Sequence, residues 1–437
     1  MSFQQGLSGL NGSSKSLDVI GNNIANASTF GAKSSRAEFA DVYAGALNGA
    51  GSNPVGIGVT VQAVSQQFTQ GNITTTESPM DLAINGGGFF QVSDGKNPVM
   101  YTRNGQFKLD RDGYVVNNDQ LKLMGYPADG SGVIQPGLAQ PLKLPTAGID
   151  PKTTTAVDME FTLDSRKAAT APTDGSTGMT LNDPTTYNNA TSMTVYDAKG
   201  QDVAVTFYFQ KGATAADGST SWNIFATANG QNFANDADGN PIGVDAFGNP
   251  TSPYTSITFP ANGGSPIAPT GAINMDIPAG VNAMGADTLA IPGIQLNMTG
   301  AKENGSSFAV TNLTQDGYAP GQLSGITIEN SGIVMARYSN GQSKPAGQVE
   351  LASFRNPQGL QPMGGNVWSR TFASGDAVVG VPGDGNMGAL KSGALEESNV
   401  DLTAELVNMV TAQRIYQANA QTIKTQDQVM QTIVNLR

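Results

Sequence analysis

Apolar residues recur at helical spacing in two places, and these are the two ends of the chain. Stepping alternately four and three residues from Leu402 reaches Leu406, Met409, Gln413, Tyr416, Ala420, Ile423, Asp427, Met430 and Val434, of which only Gln413 and Asp427 are polar. The same walk from Phe3 reaches Leu7, Leu10, Ser14, Leu17, Gly21 and Ile24, in a segment otherwise made of Ser, Gly, Asn and Gln. A four-three repeat marks a helix that packs along a narrow seam, so the pattern predicts helices over 2–27 and 402–437 that pair as an antiparallel coiled coil. Gly6, Gly9, Gly12 and Gly21 weaken the first of them by about 0.8 to 1 kcal/mol each until it is packed.

The second helix is better specified. Ser398 or Asp401 can accept from its first-turn amides. Glu396, Glu397, Asp401 and Glu405 are expected at the positive end of its dipole and Arg437 at the negative end. Val407, Val410, Ile415, Ile433 and Leu436 are apolar but off the seam, which implies contacts on more than one side. One partner helix within the same chain leaves such a surface uncovered, so both ends are expected to order fully only inside an assembly. Asp427 falls on the seam, where a charge costs unless paired, and a polar partner in a neighbouring helix is expected for it. Arg414 is expected on a solvated or interfacial face.

Between the helices the period drops to two. Strand patterns run through 59–64, 82–92, 100–103, 106–109, 121–124, 192–196, 203–209, 222–228, 326–328, 333–338 and 349–354. The Asn104-Gly105 pair reads as a hairpin turn, and Tyr338-Ser-Asn-Gly-Gln echoes Tyr101-Thr-Arg-Asn-Gly-Gln. The residues between 192–196 and 203–209 read as another turn, placing Val203, Val205, Phe207 and Phe209 on one face. Gly, Ala, Ser, Asn and Pro dominate 45–58, a linker by composition, and composition shifts again near Pro145.

These patterns give a mixed, mainly β fold of nested, discontinuous domains: a helical segment 1–44, a linker 45–72, the first half of a β domain 73–148, an inserted outer β domain 149–317, the second half of the first 318–374, a linker 375–393 and a helical segment 394–437.

Composition narrows the chemistry. The 437 residues carry a formal net charge of -12 and neither His nor Cys. An acidic chain without a basic stripe is a poor nucleic-acid partner. The missing side chains remove disulfides, thiolate or imidazole metal sites and His-based triads. No apolar run is long enough to span a bilayer, and the first residues lack the basic and apolar regions of a cleaved signal peptide. Gly86-Gly87-Gly88 has no following helix with Lys-Ser or Lys-Thr and reads as a turn or bulge, not a phosphate cradle. Asp110-Arg-Asp-Gly and Asp236-Ala-Asp-Gly-Asn read as turns, lacking the remaining ligands of a calcium loop. Glu396 and Glu397 are adjacent and make a poor acid/base pair. No catalytic, cofactor or metal site is expected.

Asp18-Val-Ile20-Gly-Asn22-Asn23-Ile24-Ala-Asn26, followed by Gly31-Ala32-Lys33, resembles the N-terminal signature of flagellar axial proteins, the rod, hook and hook-associated subunits, and within them looks most like the hook subunits. Ala32 stands where the family usually has an aromatic. Residues 393–409 and 412–427, including Asp401, Arg414, Tyr416 and Asn419, look like the C-terminal signature of the same family. Leu82-Ala-Ile-Asn-Gly-Gly-Gly-Phe-Phe-Gln-Val and Asn366-Val-Trp are similar to its β core, and the middle of the chain is not diagnostic. The resemblance implies a non-enzymatic, cofactor-free subunit that polymerises into the tubular, bendable hook, the universal joint between rotary motor and filament, with its terminal motifs in assembly. It further implies type III export without a cleaved signal, an extracellular place in the hook and basal body, growth beneath a hook cap, and contact with distal rod and hook–filament junction proteins. A distal rod or hook-associated subunit is the alternative.

Overall fold

The computed structural model describes residues 2–43, 56–171 and 178–435. Residues 44–55, within the predicted linker, and Leu436 and Arg437 lie outside the described residues, as does the Ile433 side chain.

The chain divides into two compact units. The first comprises Met1–Thr146, Ser324–Arg337 and Ser343–Arg437, and the second Ala147–Leu323 with Tyr338–Gln342. The first holds both helices, α1 (Ser2–Ala25) and α2 (Leu402–Asn435). It also holds a long antiparallel pair of β1 (Ser35–Tyr43) and β2 (Gly56–Gln66), running from Ser35↔Gln66 to Tyr43↔Gly56 with register shifts after Glu38 and Val42. Its β body threads early and late segments through each other. Gln348 pairs with Tyr126, Leu351 with Phe90, Val367 with Thr102, Leu390 with Ile84 and Ile73 with Glu396. Neither half of the sequence has a complete sheet without the other, and that makes the unit discontinuous. Leu82, Ile84, Phe90, Leu123, Val349 and Leu351 fill its main core. A second cluster packs Phe89, Tyr101, Phe354 and Trp368 edge to face, the arrangement that aromatic quadrupoles favour.

The second unit is built mainly of two five-stranded sheets about one core, with a small two-stranded sheet beside them. Ala156–Asp164 is central to one sheet, and its residues Val157, Met159, Phe161 and Leu163 all turn inward. Asn189–Tyr196, Asp202–Lys211 and Thr220–Ala228 build the other. The predicted turn after Tyr196 forms, and Val203, Val205, Phe207 and Phe209 share the buried face. Phe161 and Phe209 meet across the sheets with ring centroids 4.7 Å apart.

Three expectations require correction. Asn104-Gly105 does not close a hairpin: Met100–Thr102 pairs with Phe89–Ser93 and Val367–Ser369, while Lys108–Leu109 pairs with Val115–Val116. The glycine is there because the backbone of Leu82 crosses it, and a Cβ would fall 1.6 Å from the Leu82 carbonyl oxygen. Its echo at Asn340-Gly341 does join a hairpin, between Ile333–Tyr338 and Ser343–Val349. Second, the helical segment 1–44 carries a strand after its helix, from Ser35, and the strand expected at 59–64 within the linker 45–72 begins at Gly56. Third, the linker from 375 carries two paired strands, Val378–Gly380 and Ala389–Ser392. Glycine and small residues suggested loops in both cases, but pairing to a distant strand supplies the backbone hydrogen bonds that composition does not reveal.

Candidate assembly interface

The helices pair, and they run antiparallel: Gly6 lies against Ile423, Gly9 and Ser13 against Asn419, and Asn23 against Glu405. The seam is not the apolar one. On α1 the innermost positions include Gly6, Ser13, Ile20 and Asn23, and on α2 they are Glu405, Met409, Ala412, Asn419, Ala420, Ile423 and Gln426. The four-three period holds; on α1 it is displaced by one residue, and on α2 it is displaced at Glu405, Ala412, Asn419 and Gln426 and kept at Met409, Ala420 and Ile423. Small side chains permit the approach: a Cβ on Gly6 would meet Ile423 Cγ1 at 3.0 Å, and one on Gly9 would meet Asn419 Nδ2 at 2.8 Å.

Displacement by one residue rotates the large side chains out of the contact. Phe3 is 51% exposed, Leu7 46%, Leu406 52% and Val434 70%. Leu402, Val407, Val410, Ile415, Tyr416 and Met430 are exposed as well, and so are Gln413 and Arg414. Leu10, Leu17 and Ile24 are half-buried. Of the predicted seam, Met409, Ala420 and Ile423 line the helix contact, while Phe3, Leu7, Leu402, Leu406, Gln413, Met430 and Val434 do not. Asp427 is also off the contact, exposed, and accepts from Gln431 of its own helix at 2.9 Å. A further face of α1 rests on the β1–β2 pair. Ser8 Oγ accepts from Val59 N at 3.1 Å, Gln5 donates to the Gly56 carbonyl at 2.6 Å, and Gly12 sits over Val59 and Phe39.

Below the helices the two signature motifs meet. Asn23, buried, both donates to and accepts from the backbone of Ser35 at 2.8 Å, as a strand would, and also donates to Glu405 at 3.2 Å. That bond pattern stops α1 and starts β1. Asn26 donates back to the Asn22 carbonyl at 3.0 Å. Gly31 adopts a left-handed φ of 71° while its amide donates to the Glu396 carbonyl, and a Cβ there would lie 2.5 Å from Asn104 N. No other residue type fits both conditions. Ala32 is buried.

Lys33 then enters an ionic cluster. Its Nζ donates to Glu396 Oε1 at 2.6 Å and to the Thr69 carbonyl at 2.8 Å, and Arg103 Nη1 donates to Glu396 Oε2 at 3.0 Å. The Gly71 amide adds a 3.0 Å bond to Oε1. Burial pushes the Lys33 ammonium and the Arg103 guanidinium down from their ordinary values, against the opposing pull of Glu396. Glu396 therefore does not sit in the first turn of α2, as its sequence position suggested; it ends a strand, Ala394–Glu396. The helix starts after Asp401, whose Oδ1 accepts from Thr403 and Ala404 at 2.9 and 3.2 Å, so Asp401 and not Ser398 is its cap. Asn399 ties the two chain ends once more, accepting from Ser34 N at 2.7 Å and donating to the Gln67 carbonyl at 2.8 Å. Periodicity could not find Arg103, Glu396 or Asn399. The available signal was the scarcity of charge in the motif stretches, where each ion requires a partner.

This is a β-rich structural subunit whose two chain ends return as one helix pair, bound by small residues and presenting large apolar ones outward. Family profiles match in the same order along the chain: "Flagella basal body rod protein" over 3–33, "Flagellar hook protein FlgE/F/G D1 domain" over 83–164, "Flagellar basal body protein FlaE D2 domain" over 162–318 and "Flagellar basal body rod FlgEFG protein C-terminal" over 391–436. The flagellar hook protein FlgE of Salmonella typhimurium is 41% identical over the whole of both chains, and that of Escherichia coli is also 41% identical over the whole of both. A crystal structure of Helicobacter pylori flagellar hook protein FlgE2 covers 74% of this chain and all of its own, at 14% identity and a TM-score of 0.48. The chain belongs to the flagellar hook protein family, whose members are structural proteins of the flagellum and not enzymes.

Proposed function

We propose that the chain polymerises into a tube through the outward apolar stripes of α1 and α2, each covered by helices of neighbouring copies. The observation that carries this is the exposed apolar stripe itself: Phe3, Leu7, Leu402, Leu406 and Val434 have no cover inside one molecule. Each large side chain so buried contributes about 1.5 to 3 kcal/mol, and contacts that join different patches of successive copies extend into a filament instead of closing a ring. The signature residues Asn22, Asn23, Asn26, Gly31, Lys33 and Asp401 fix where the helices leave the β body.

The units divide the work. The helix pair supplies cohesion, and the second unit makes weak wet contacts that slide as the tube bends. Such a tube is a bendable joint between a rotary motor and a filament. Its partners would be a cap during growth, distal rod and filament-junction proteins at its ends, and the type III export apparatus, with delivery outside the cell. A rod subunit is the second reading, favoured by the rod-type profiles at the two ends.

Electron micrographs of concentrated protein should show tubes. Entry to and exit from the second unit run side by side, with Ile149 bridged to Gly321 and Lys152 to Tyr318, so a short linker can replace it. The excised chain is expected to polymerise still, with altered stiffness or supercoil. Complete loss of assembly in that variant would refute the division of labour.

A further inference from the structure

We infer that Phe372 anchors a contact between neighbouring copies by seating in the cleft beside Val378–Gly380 of the next chain. This rests on the self-assembly proposed above and adds a second, lateral contact outside the helices. Phe372 is fully exposed, yet the turn that carries it is tightly held. Thr371 Oγ1 donates to the Gly359 carbonyl at 2.6 Å and accepts from Ala373 N at 3.1 Å and Ser374 N at 3.3 Å, and Ser374 Oγ donates back to the Thr371 carbonyl at 2.9 Å. Arg370 and Asp376 close the base of the turn at 2.6 Å. A mobile aromatic would lose entropy on docking, whereas one presented on a fixed turn has little left to lose. Rigid aromatics in that setting are the side chains that dominate interface energies.

The cleft is the matching half. It measures about 410 Å³ and is lined by Phe354, Val378, Val379 and Met387, with Arg355 and Asp384 on its rim. Val378 and Val379 are exposed on a short strand paired on one side only, to Leu351–Ser353. Among the described residues, neither Arg355 nor Asp384 has a side-chain ion pair, whereas Arg370 and Asp376 at the base of the Phe372 turn pair with each other on an exposed surface. An aromatic knob flanked by the Arg370–Asp376 pair and an apolar cleft flanked by Asp384 and Arg355 match in polarity, and the four charges can exchange partners across the contact. A knob on one copy that enters a cleft elsewhere on the next is a heterologous contact, which propagates in a homopolymer. The occupant is therefore a second copy of this chain.

The absence of native cysteine makes the test clean. Chains carrying only Phe372→Cys and chains carrying only Val379→Cys are mixed, assembled and treated with a short bis-maleimide, and cross-linked peptides are identified by mass spectrometry. Mixed 372–379 dimers are expected in tubes and not in dilute monomer, and Phe372→Ala should raise the critical concentration about tenfold, with Phe372→Leu between it and the native chain. Tubes without that cross-link, and with Phe372→Ala at the native critical concentration, overturn the contact while leaving helix-driven assembly standing. Failure of the unsubstituted chain to form tubes overturns both.

Discussion

A chain ending at Val400 is expected to keep the unfolding midpoints of its β units and to form no tubes at any concentration that the full chain needs for them. The cut removes α2 and its cap but spares Glu396, Asn399 and every paired strand of the β body. What it takes away is the exposed row from Leu402 to Val434 and the partner of the small-residue face of α1. Several large side chains at about 1.5 to 3 kcal/mol each amount to many factors of ten in association, so this is the largest effect on assembly. Leu406→Glu is the milder version. Leu406 is exposed in the single chain, so the helicity of the monomer should equal that of the native monomer while the critical concentration rises at least about tenfold. Sedimentation and negative-stain micrographs read the first result, and circular dichroism reads the second.

Glu396→Ala is expected to be the most damaging single change to the fold, destabilising the first unit by about 3 to 5 kcal/mol. The carboxylate is fully buried between Lys33 and Arg103, and its removal leaves two cations without their counter-charge. Burial already works against both cations in the native protein, so the cluster adds little net stability over an apolar replacement; it acts by fixing position. Two consequences separate this from simple loss of packing. Glu396→Gln should cost less, since its amide oxygen still accepts from Lys33 and Gly71. Lys33→Met added to Glu396→Ala should recover part of the loss by removing one stranded charge. Urea midpoints of the native chain, Glu396→Ala, Glu396→Gln, Lys33→Met and the double variant check the pattern, and additivity of Glu396→Ala and Lys33→Met would contradict it.

Hydrophobic period located both helices, and the chain ends that it marked are the ones that pair. It misplaced the internal seam by one residue for a physical reason. Gly6, Gly9 and Ser13 meet α2 because they are small, and small residues carry no weight in an apolar pattern. The large residues that dominate the pattern, Leu7 and Leu406 among them, belong to a surface that one chain cannot cover. The same blindness to distant partners hid β1, whose pairing with β2 spans residues that read as linker, and turned Asn104-Gly105 into a hairpin when its glycine serves a crossing backbone. Alternation worked where one face is fully buried, as in Val203 to Phe209. The cap at Asp401 was legible as local chemistry, whereas Glu396, only five residues earlier, was not, because its partners Lys33 and Arg103 are hundreds of residues away in sequence.

Assembly through the helices depends above all on the outward stripe, and a single thiol measures whether neighbours cover it. With no other cysteine present, Leu406→Cys can be labelled by a maleimide in dilute monomer and in assembled tubes under the same conditions. Rapid labelling of the monomer with protection in the tube is the expected result. Equal labelling in both would mean that no neighbouring helix covers the stripe, and would contradict helix-driven assembly.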